Sequence, residues 1–505
     1  MRTHRKMAEA REWCSNQISK LLEEDLRVPT LTEIKQHFSS VSPEEAKVTA
    51  NNLQLTAIFD CLNNSNVEQV DLACDVLSTC MSHLTLGNSI DLYSTLLERA
   101  LRHPYSSVKI MALKEIERNV EDVKELLKLF IDTQLLKSVI SIIADQDLTV
   151  AKIATVIVHK VGVTNVGIQI LISEEMLPII YEVMATNEIV SLRVNELFVD
   201  ISKSSPSSMK ELASQGLLLP LLKGLDDNDV LLKMNIIEIL SQLVITEHGY
   251  LYLKNNEIIS KILKNCNSRD IATVELCEPG ILRFFGSLAR WKPSETIANN
   301  RSVVNRIFNI IQNFEPTIIG VAFDTLGYIG ETNEGKYSLE TADDSMTLTL
   351  KAIGDQIQTY PMEIKLRALN CLENLFKIED FESKITNLVR KWYYSMGSDS
   401  MSWLYNNFAN NPFNEIRVAA LGVLFSLSNH NWAQEMFKNT PGFVEFLLDR
   451  RAENFKECKE YKYAIVKNLS GSVVFDQNTQ KRFQEYIKEG PFYVQAVTEV
   501  AIEGD

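Results

Sequence analysis

The stretch NEIRVAALGVL at residues 414–424 carries an apolar side chain at every fourth position, namely Ile416, Ala420 and Leu424. A closely similar stretch, MEIKLRALNCL, lies at residues 362–372. Side chains spaced in this way lie on one face of an α-helix. A helix with one apolar face has to bury that face against another element. The two stretches therefore predict two amphipathic helices of one kind.

The stripe recurs with a period of about 40 residues, which is the period of armadillo and HEAT repeats. Each anchor residue is followed by apolar residues four and eight positions later, and the anchors are Val108, Val150, Val190, Val230, Ile318, Ile364 and Ile416. After Val230 the third apolar position slides to Ile239. The 88 residues from Val230 to Ile318 correspond to two repeats.

A second marker follows 17 to 19 residues after an anchor. It is a short polar turn that holds Gly167, Gly249 or Gly335, or Ala433 in the segment HNWAQEMF, with further apolar positions behind it. We expect a striped helix, a turn and a second helix to alternate, with neighbouring repeats covering each other's apolar faces. Strand-type alternation is nearly absent. The sequence therefore predicts an all-α, armadillo/HEAT-like helical-repeat solenoid, or superhelix.

The chain is too long for one compact core, which usually stops growing at about 250–300 residues. We predict an N-terminal helical cap with degenerate repeats at 1–100, the armadillo/HEAT-like array at 101–489, and a C-terminal tail at 490–505. The leading MRTHRK is basic and has no apolar core of the signal-peptide kind. We expect Met7 to be the natural start.

Composition restricts the class of partner. The chain has 51 basic and 66 acidic side chains and a formal charge of −15, which argues against broad nucleic-acid binding. The sequence contains no run of about 18 apolar residues, which a membrane-spanning helix would need. The eight cysteines are scattered without a C-x-x-C pair, as expected for reduced core thiols. We therefore predict a cytoplasmic protein, with the nucleus also open, and neither nucleic acid nor a membrane as a partner.

The segment GETNEGKY at residues 330–337 is the best candidate for a catalytic or nucleotide-binding motif. Gly330, Gly335 and Lys336 reproduce the G-x-x-x-x-G-K core of a phosphate-binding loop, but Tyr337 replaces the Ser or Thr that would hold magnesium. The preceding VAFDTLGYI is a helical stripe, whereas a P-loop needs a strand there. No H-E-x-x-H or G-x-S-x-G motif occurs. We therefore predict a non-enzyme without catalytic, cofactor-binding or metal-binding residues and without a cofactor.

A helical solenoid offers a long surface to another protein. Positions three, six and ten after each anchor lie beside the buried stripe. If they line the partner groove, the candidate partner-binding residues are Lys114, Arg118, Lys160, Arg193, Glu196, Asp200, Lys233, Asp324, Tyr328, Arg367, Asn370 and Asn374. The alternative interpretation is an ordinary solvated helix face.

Four stretches resemble the proteasome base-assembly chaperone family: HPYSSVKIMALKEI, EPTIIGVAFDTLGYIGETNEGK, NTPGFVEFLLDR and the ending that begins EGPFYVQAV. The resemblance runs from about residue 7 to the C terminus. It implies an armadillo/HEAT-like chaperone for assembly of the proteasome regulatory particle, the 19S base. Such a chaperone binds the C-terminal domain of one base ATPase subunit, beside its assembly-module neighbours, in an assembly intermediate. It leaves before the mature proteasome forms.

No motif of this family identifies the partner site residue by residue. We expect a monomer when the chain is free, and we expect joint charge reversal at Arg193, Lys233 and Arg367 to weaken capture of the ATPase subunit. A generic armadillo-type scaffold or transport adaptor remains the alternative, and its partners would lack proteasome subunits.

Overall fold

The computed structural model describes residues 2–121, 133–264, 271–341, 345–379, 382–398 and 400–493. All regular secondary structure in these ranges is helical, and no strand occurs in them. The all-α repeat fold predicted from the sequence is thus confirmed. The chain divides into two compact units, Met1–Asp226 and Asp227–Asp505. The predicted boundaries at residues 100 and 489 stay predictions, and most of the predicted tail, 494–505, lies outside the described residues.

The first unit contains short helices joined by tight turns, with 3₁₀ turns at Glu24–Leu26 and Ile142–Ala144. Its helices are α1 (Arg2–Leu21), α2 (Arg27–Ser40), α3 (Pro43–Asn52), α4 (Thr56–Asp60), α5 (Val67–Ser82), α6 (Asn88–Leu101), α7 (Ser106–Asn119), α8 (Thr133–Ser141), α9 (Leu148–Gly162), α10 (Asn165–Leu171), α11 (Leu177–Met184), α12 (Glu188–Ser204), α13 (Pro206–Ser214) and α14 (Leu219–Gly224).

The second unit repeats this pattern and contains one π-helical segment, Trp403–Ala409. Its helices are α15 (Val230–Leu243), α16 (Glu247–Asn255), α17 (Ile258–Lys264), α18 (Ile271–Trp291), α19 (Pro293–Asn299), α20 (Arg301–Gln312), α21 (Ile319–Ile329), α22 (Asn333–Glu340), α23 (Ser345–Gln356), α24 (Met362–Phe376), α25 (Ser383–Ser395), α26 (Ser400–Ser402), α27 (Asn414–Ser428), α28 (Asn431–Asn439), α29 (Phe443–Leu448), α30 (Lys456–Leu469) and α31 (Gln477–Glu489).

The helices that carry the apolar stripe, called the stripe helices here, pack side by side in each unit. In the first unit the row is α2, α5, α7, α9 and α12, and in the second it is α15, α18, α21, α24, α27 and α30. Several begin at a side chain that accepts hydrogen bonds from the first-turn N–H groups, as Asn66, Asp147, Asn187 and Asp229 do. These four helices therefore start at defined residues, and consecutive stripe helices of a row pack against each other.

Most predicted stripe residues are buried, from Val108, Ala112 and Ile116 in α7 to Ile416, Ala420 and Leu424 in α27. The exceptions are Val230, Met234 and Ile364, which are only half-buried. They lie in the first two turns of their helices.

From α9 onward most repeats contain three helices in the described ranges, whereas the sequence predicted two. After α9, for example, the short helix α10 is followed by a separate helix α11 before the next stripe helix α12. Three helices in about 40–47 residues is the armadillo arrangement. The predicted second helix is therefore wrong in detail, because a bend divides it into two short helices.

Steric contacts explain why glycine occurs in the predicted turn. Thr164, Thr246 and Thr332 cap the short helices, and each hydroxyl accepts a hydrogen bond from the glycine N–H three residues on, at 3.0–3.1 Å. A Cβ on Gly335 would collide with the carbonyl oxygen of Ile329 at the end of the preceding stripe helix. The turns at Gly167, Gly249 and Gly335 therefore require glycine, because two backbones approach closely there.

Candidate protein-interaction surface

Ion pairs connect the exposed edges of successive stripe helices in the second unit. Glu238 of α15 pairs with Arg283 of α18 at 2.8 Å, and Asp324 of α21 pairs with Arg367 of α24 at 2.6 Å. Arg367 also holds Glu363 at 3.0 Å. These five residues are called the charge ladder. Exposed pairs of this kind contribute only about 0–1 kcal/mol each, so the ladder fixes the pattern of charge more than it stabilises the fold.

A second row of contacts runs beside the charge ladder. The Arg290 guanidinium of α18 lies over the Tyr328 ring of α21 at 4.6 Å and pairs with Glu331 at 3.1 Å. Lys377, just past α24, approaches Glu331 at 3.7 Å. Tyr328 therefore lies half-buried with one ring face covered by a cation.

A half-buried patch continues this surface over α24, α27 and α30. The Glu373 carboxylate lies where a Cβ on Gly422 would be, so α24 and α27 approach closely at this point. Burial raises the pKa of Glu373, and Lys377 opposes the rise. Phe425 and Tyr461 form an edge-to-face pair, with ring centroids 6.1 Å apart. We call Glu373, Phe425 and Tyr461 the aromatic patch.

In the first unit, Arg118 acts as a clamp between stripe helices. Its guanidinium donates to the carbonyl oxygen of Met81, at the end of α5, at 2.8 Å, and to the buried Glu115 carboxylate at 2.6 Å. The same carboxylate accepts hydrogen bonds from Ser89 and Asn119. Arg118 was predicted to bind a partner, but its guanidinium donates to groups within the fold.

Further predicted residues of the first unit also make contacts within the chain. Lys160 of α9 pairs with Glu117 of α7 at 3.1 Å, and Arg193 of α12 donates to the carbonyl oxygen of Ile143. Asp200 pairs with Lys203 at 2.6 Å on the same helix. Lys114 and Glu196 are exposed. In this unit the exposed predicted residues are thus better placed to meet a partner than Arg118, Lys160 and Arg193.

In the second unit the structure brings Asp324 and Arg367 into contact and leaves other predicted residues apart. Lys233 is half-buried on α15, close enough to Cys277 to oppose the rise that burial causes in the pKa of that thiol. Asn370 is exposed on α24, and Asn374 is half-buried one turn later.

Glu238 was missed because it lies eight residues after Val230, outside the counted positions three, six and ten. Arg283 and Arg290 were missed because no anchor was assigned to the repeat between Val230 and Ile318. Its stripe is Cys277, Ile281 and Phe285 on α18, all buried and four residues apart. That spacing could have identified the helix. Pro279 lies inside α18 and weakened the helical pattern at that point.

The phosphate-loop candidate is excluded by the position of its lysine. Lys336 is completely buried, and its Nζ donates to the carbonyl oxygen of Glu331 at 3.1 Å. Burial lowers the pKa of Lys336 to about 7, although Glu379 and Glu331 oppose this effect. A phosphate could reach neither this amine nor the Gly335 N–H, which Thr332 caps.

The described ranges contain no cluster of three or more His, Cys, Asp or Glu side chains that could hold a metal ion. No single helix among them is long and apolar enough to cross a membrane, although α9 and α10 together, bent by 117°, meet the criterion of length and composition. Seven of the eight cysteines are free and buried, whereas Cys266 lies outside the described residues.

The fold and this surface define an armadillo-type helical-repeat protein. The family model described as the proteasome non-ATPase 26S subunit matches residues 10–505, and the chain belongs to this family. It is 32% identical over 488 residues to 26S proteasome non-ATPase regulatory subunit 5 of Bos taurus, covering 94% of this chain and 95% of the relative. The protein of the same name from Homo sapiens is 32% identical over 482 residues, covering 92% and 94%. The resemblance found in the sequence is confirmed.

A more distant relative and two solved structures give weaker likenesses. The Drosophila melanogaster protein of that name is 26% identical over 516 residues, covering 97% of this chain and 98% of the relative. A crystal structure of an engineered protein has a TM-score of 0.42 at 14% identity, covering 82% of this chain and 98% of its own. A designed armadillo repeat protein in complex with the peptide (KR)4 has a TM-score of 0.39 at 12% identity, covering 50% and 98%. The fold assignment rests on the helix order described above.

Proposed function

We propose that this protein is a chaperone for assembly of the 26S proteasome regulatory particle. In this proposal it binds the C-terminal domain of one base ATPase subunit in an assembly intermediate and is released before the mature proteasome forms. The observation that carries the proposal is the family match over residues 10–505. Relatives at 32% identity that carry the proteasome subunit name support a proteasome-related role.

The dimensions of the stripe-helix row fit a domain-sized partner. Packed helices lie about 8–10 Å apart, so the six stripe helices of the second unit form a face of about 40–50 Å. A globular domain of about 100 residues has a radius of gyration near 13 Å, so its diameter is smaller than the length of this face. One such row can supply the roughly 800 Å² per partner that a stable interface buries.

The fixed charges of the row suit recognition with limited affinity. The charge ladder alternates in sign along α15, α18, α21 and α24. Alternating charges select partner and register more than they add affinity. A chaperone that is displaced during assembly needs limited affinity. Its release requires that binding to the chaperone and binding to the next assembly partner be coupled.

The experiment mixes the purified chain with each base ATPase C-terminal domain separately and follows co-elution by size-exclusion chromatography with light scattering. The free chain should elute as a monomer of 57.3 kDa. One selective complex of one-to-one stoichiometry is expected. No complex with any of these domains would remove the proposal and leave a generic scaffold.

The structure improves the choice of variants for this test. Charge reversal at Arg193 or Arg367 would also break the contacts that these residues make inside the fold. Lys114→Glu together with Asn370→Glu alters exposed residues on the stripe helices and should weaken capture without loss of helix content. Lys351→Glu, on the exposed side of α23, is a charge-reversal control outside the stripe-helix row.

A further inference from the structure

A pocket of about 520 Å³ lies in the first unit, where α1, α2 and α3 meet. Its walls are formed by Met7, Ala10, Trp13, His37, Val41 and Val48, and these six residues define the Trp13 pocket. None of the twelve residues predicted to bind a partner lines it. The pocket is therefore a feature separate from the stripe-helix surface.

One wall of the Trp13 pocket is an ordered pair of rings. The Trp13 indole stacks on the His37 imidazole with ring centroids 4.0 Å apart and an angle of 24° between the planes. Burial lowers the pKa of His37, with Glu45 and Glu33 opposing, and so disfavours a positive charge beneath the indole. Among aromatic side chains, tryptophan attracts cations most strongly.

Carboxylates surround the mouth of the pocket. Glu9, Glu44 and Glu45 are among its lining residues, and Glu9 and Glu44 are exposed. The described lining contains no Lys or Arg. The pocket thus combines an aromatic face, an aliphatic wall and a negative rim. A lysine or arginine side chain has the matching form, with an apolar stem and a cationic end.

The geometry points to a binding site for a lysine or arginine side chain presented by a peptide segment of a protein partner. The cation lies over the Trp13 indole beside Glu9 and Glu44, and its aliphatic stem contacts Val41 and Val48. The chain's own segment 494–505 is a poor occupant, because it carries three carboxylates and no Lys or Arg. The site does not depend on the proposed chaperone function.

The test uses the full chain labelled with 5-fluorotryptophan. The chain has five tryptophans, which give five fluorine resonances. The variant Trp13→Phe assigns the Trp13 signal. The probes are the tetrapeptide acetyl-LRLR-amide and its uncharged match acetyl-LQLQ-amide. We expect a saturable shift of the Trp13 signal with the arginine peptide and at least tenfold weaker binding of the glutamine peptide.

A pair of charge-matched variants tests the rim. Glu9→Gln with Glu44→Gln should weaken arginine-peptide binding about fivefold at low salt, because each removes one partly solvated attraction. Glu182→Gln with Glu485→Gln removes two exposed carboxylates elsewhere and should leave binding unchanged. Equal binding of both peptides, no Trp13 shift at millimolar peptide, or unaltered binding in the rim variant would overturn the inference. So would a concentration-dependent Trp13 shift without peptide, because a second copy would then fill the pocket.

Discussion

The buried Lys336 gives a prediction about stability and pH. We expect the free energy of unfolding of the second unit to rise by about 2 kcal/mol between pH 7 and pH 9 through this side chain alone. Lys336→Met should abolish that rise. The reason is that Lys336 is completely buried and that burial lowers its pKa to about 7.

The sign follows from the protons bound in each state. The unfolded chain keeps this amine protonated up to its ordinary pKa of about 10.4. The folded chain loses the proton above about pH 7. Between these values the unfolded state binds more protons, so stability rises with pH by at most about 1.4 kcal/mol per unit. The penalty is complete below pH 7 and disappears above the unfolded pKa.

The same difference sets the effect of the substitution at neutral pH. A shift from 10.5 to about 7 corresponds to a penalty of roughly 4 kcal/mol for keeping the amine in the fold. Methionine fills a similar volume but loses the hydrogen bond from Nζ to the carbonyl oxygen of Glu331. That loss costs about 1–3 kcal/mol. Lys336→Met should therefore stabilise the second unit by about 2 kcal/mol at pH 7.

The assay is urea unfolding followed by tryptophan fluorescence at pH 7, 8 and 9. In a Trp13→Phe background it reports the second unit alone, because the remaining tryptophans are Trp291, Trp392, Trp403 and Trp432. Lys351→Met, at an exposed position, is the control and should keep the wild-type pH dependence. Parallel pH dependences for the wild type and Lys336→Met would refute the reasoning.

Three further predictions concern single sites. Gly335→Ala should lower stability by about 2 kcal/mol in the same assay because its methyl group meets the Ile329 carbonyl, whereas Gly471→Ala, whose methyl group would lie 4.0 Å from the Asn468 carbonyl oxygen, should cost less than about 1 kcal/mol. Glu453→Gln should cost about 3 kcal/mol, since it breaks a largely buried pair with Arg417 at 3.0 Å, and an unaltered urea midpoint would contradict this. Millimolar ATP with magnesium should leave the melting temperature unchanged, and a saturable increase would restore the phosphate-loop interpretation.

The sequence predicted the repeat because its evidence is local. The stripe of Ile416, Ala420 and Leu424 lies within one helix, and a period of about 40 residues follows from aligning such helices. The division of the second helix into α10 and α11 could not be predicted in this way. Both short helices continue the apolar rhythm, and Pro178, which lies in the first turn of α11, was not interpreted as a helix start.

For the candidate surface, the sequence predicted which residues lie beside the stripe but not which of them contact each other. Counting from an anchor placed Asp324 and Arg367 correctly beside the stripe, but it could not show that they pair with each other. Their contact joins residues 43 positions apart and depends on how two helices slide along each other. Arg118 shows the same limit, since its partner at the end of α5 is a backbone oxygen that no residue type reveals.

These pairings affect how any partner can bind the second unit. Because Asp324 and Arg367 already neutralise each other at 2.6 Å, a partner gains little affinity by replacing one of these contacts with an equivalent one. Binding energy in protein interfaces comes largely from aromatic and other well-packed side chains. On this row such side chains are the half-buried Tyr328, Phe425 and Tyr461. Under the proposed chaperone function, the charge ladder would set the register of a bound domain, and the aromatic side chains beside it would supply the affinity that assembly later has to overcome.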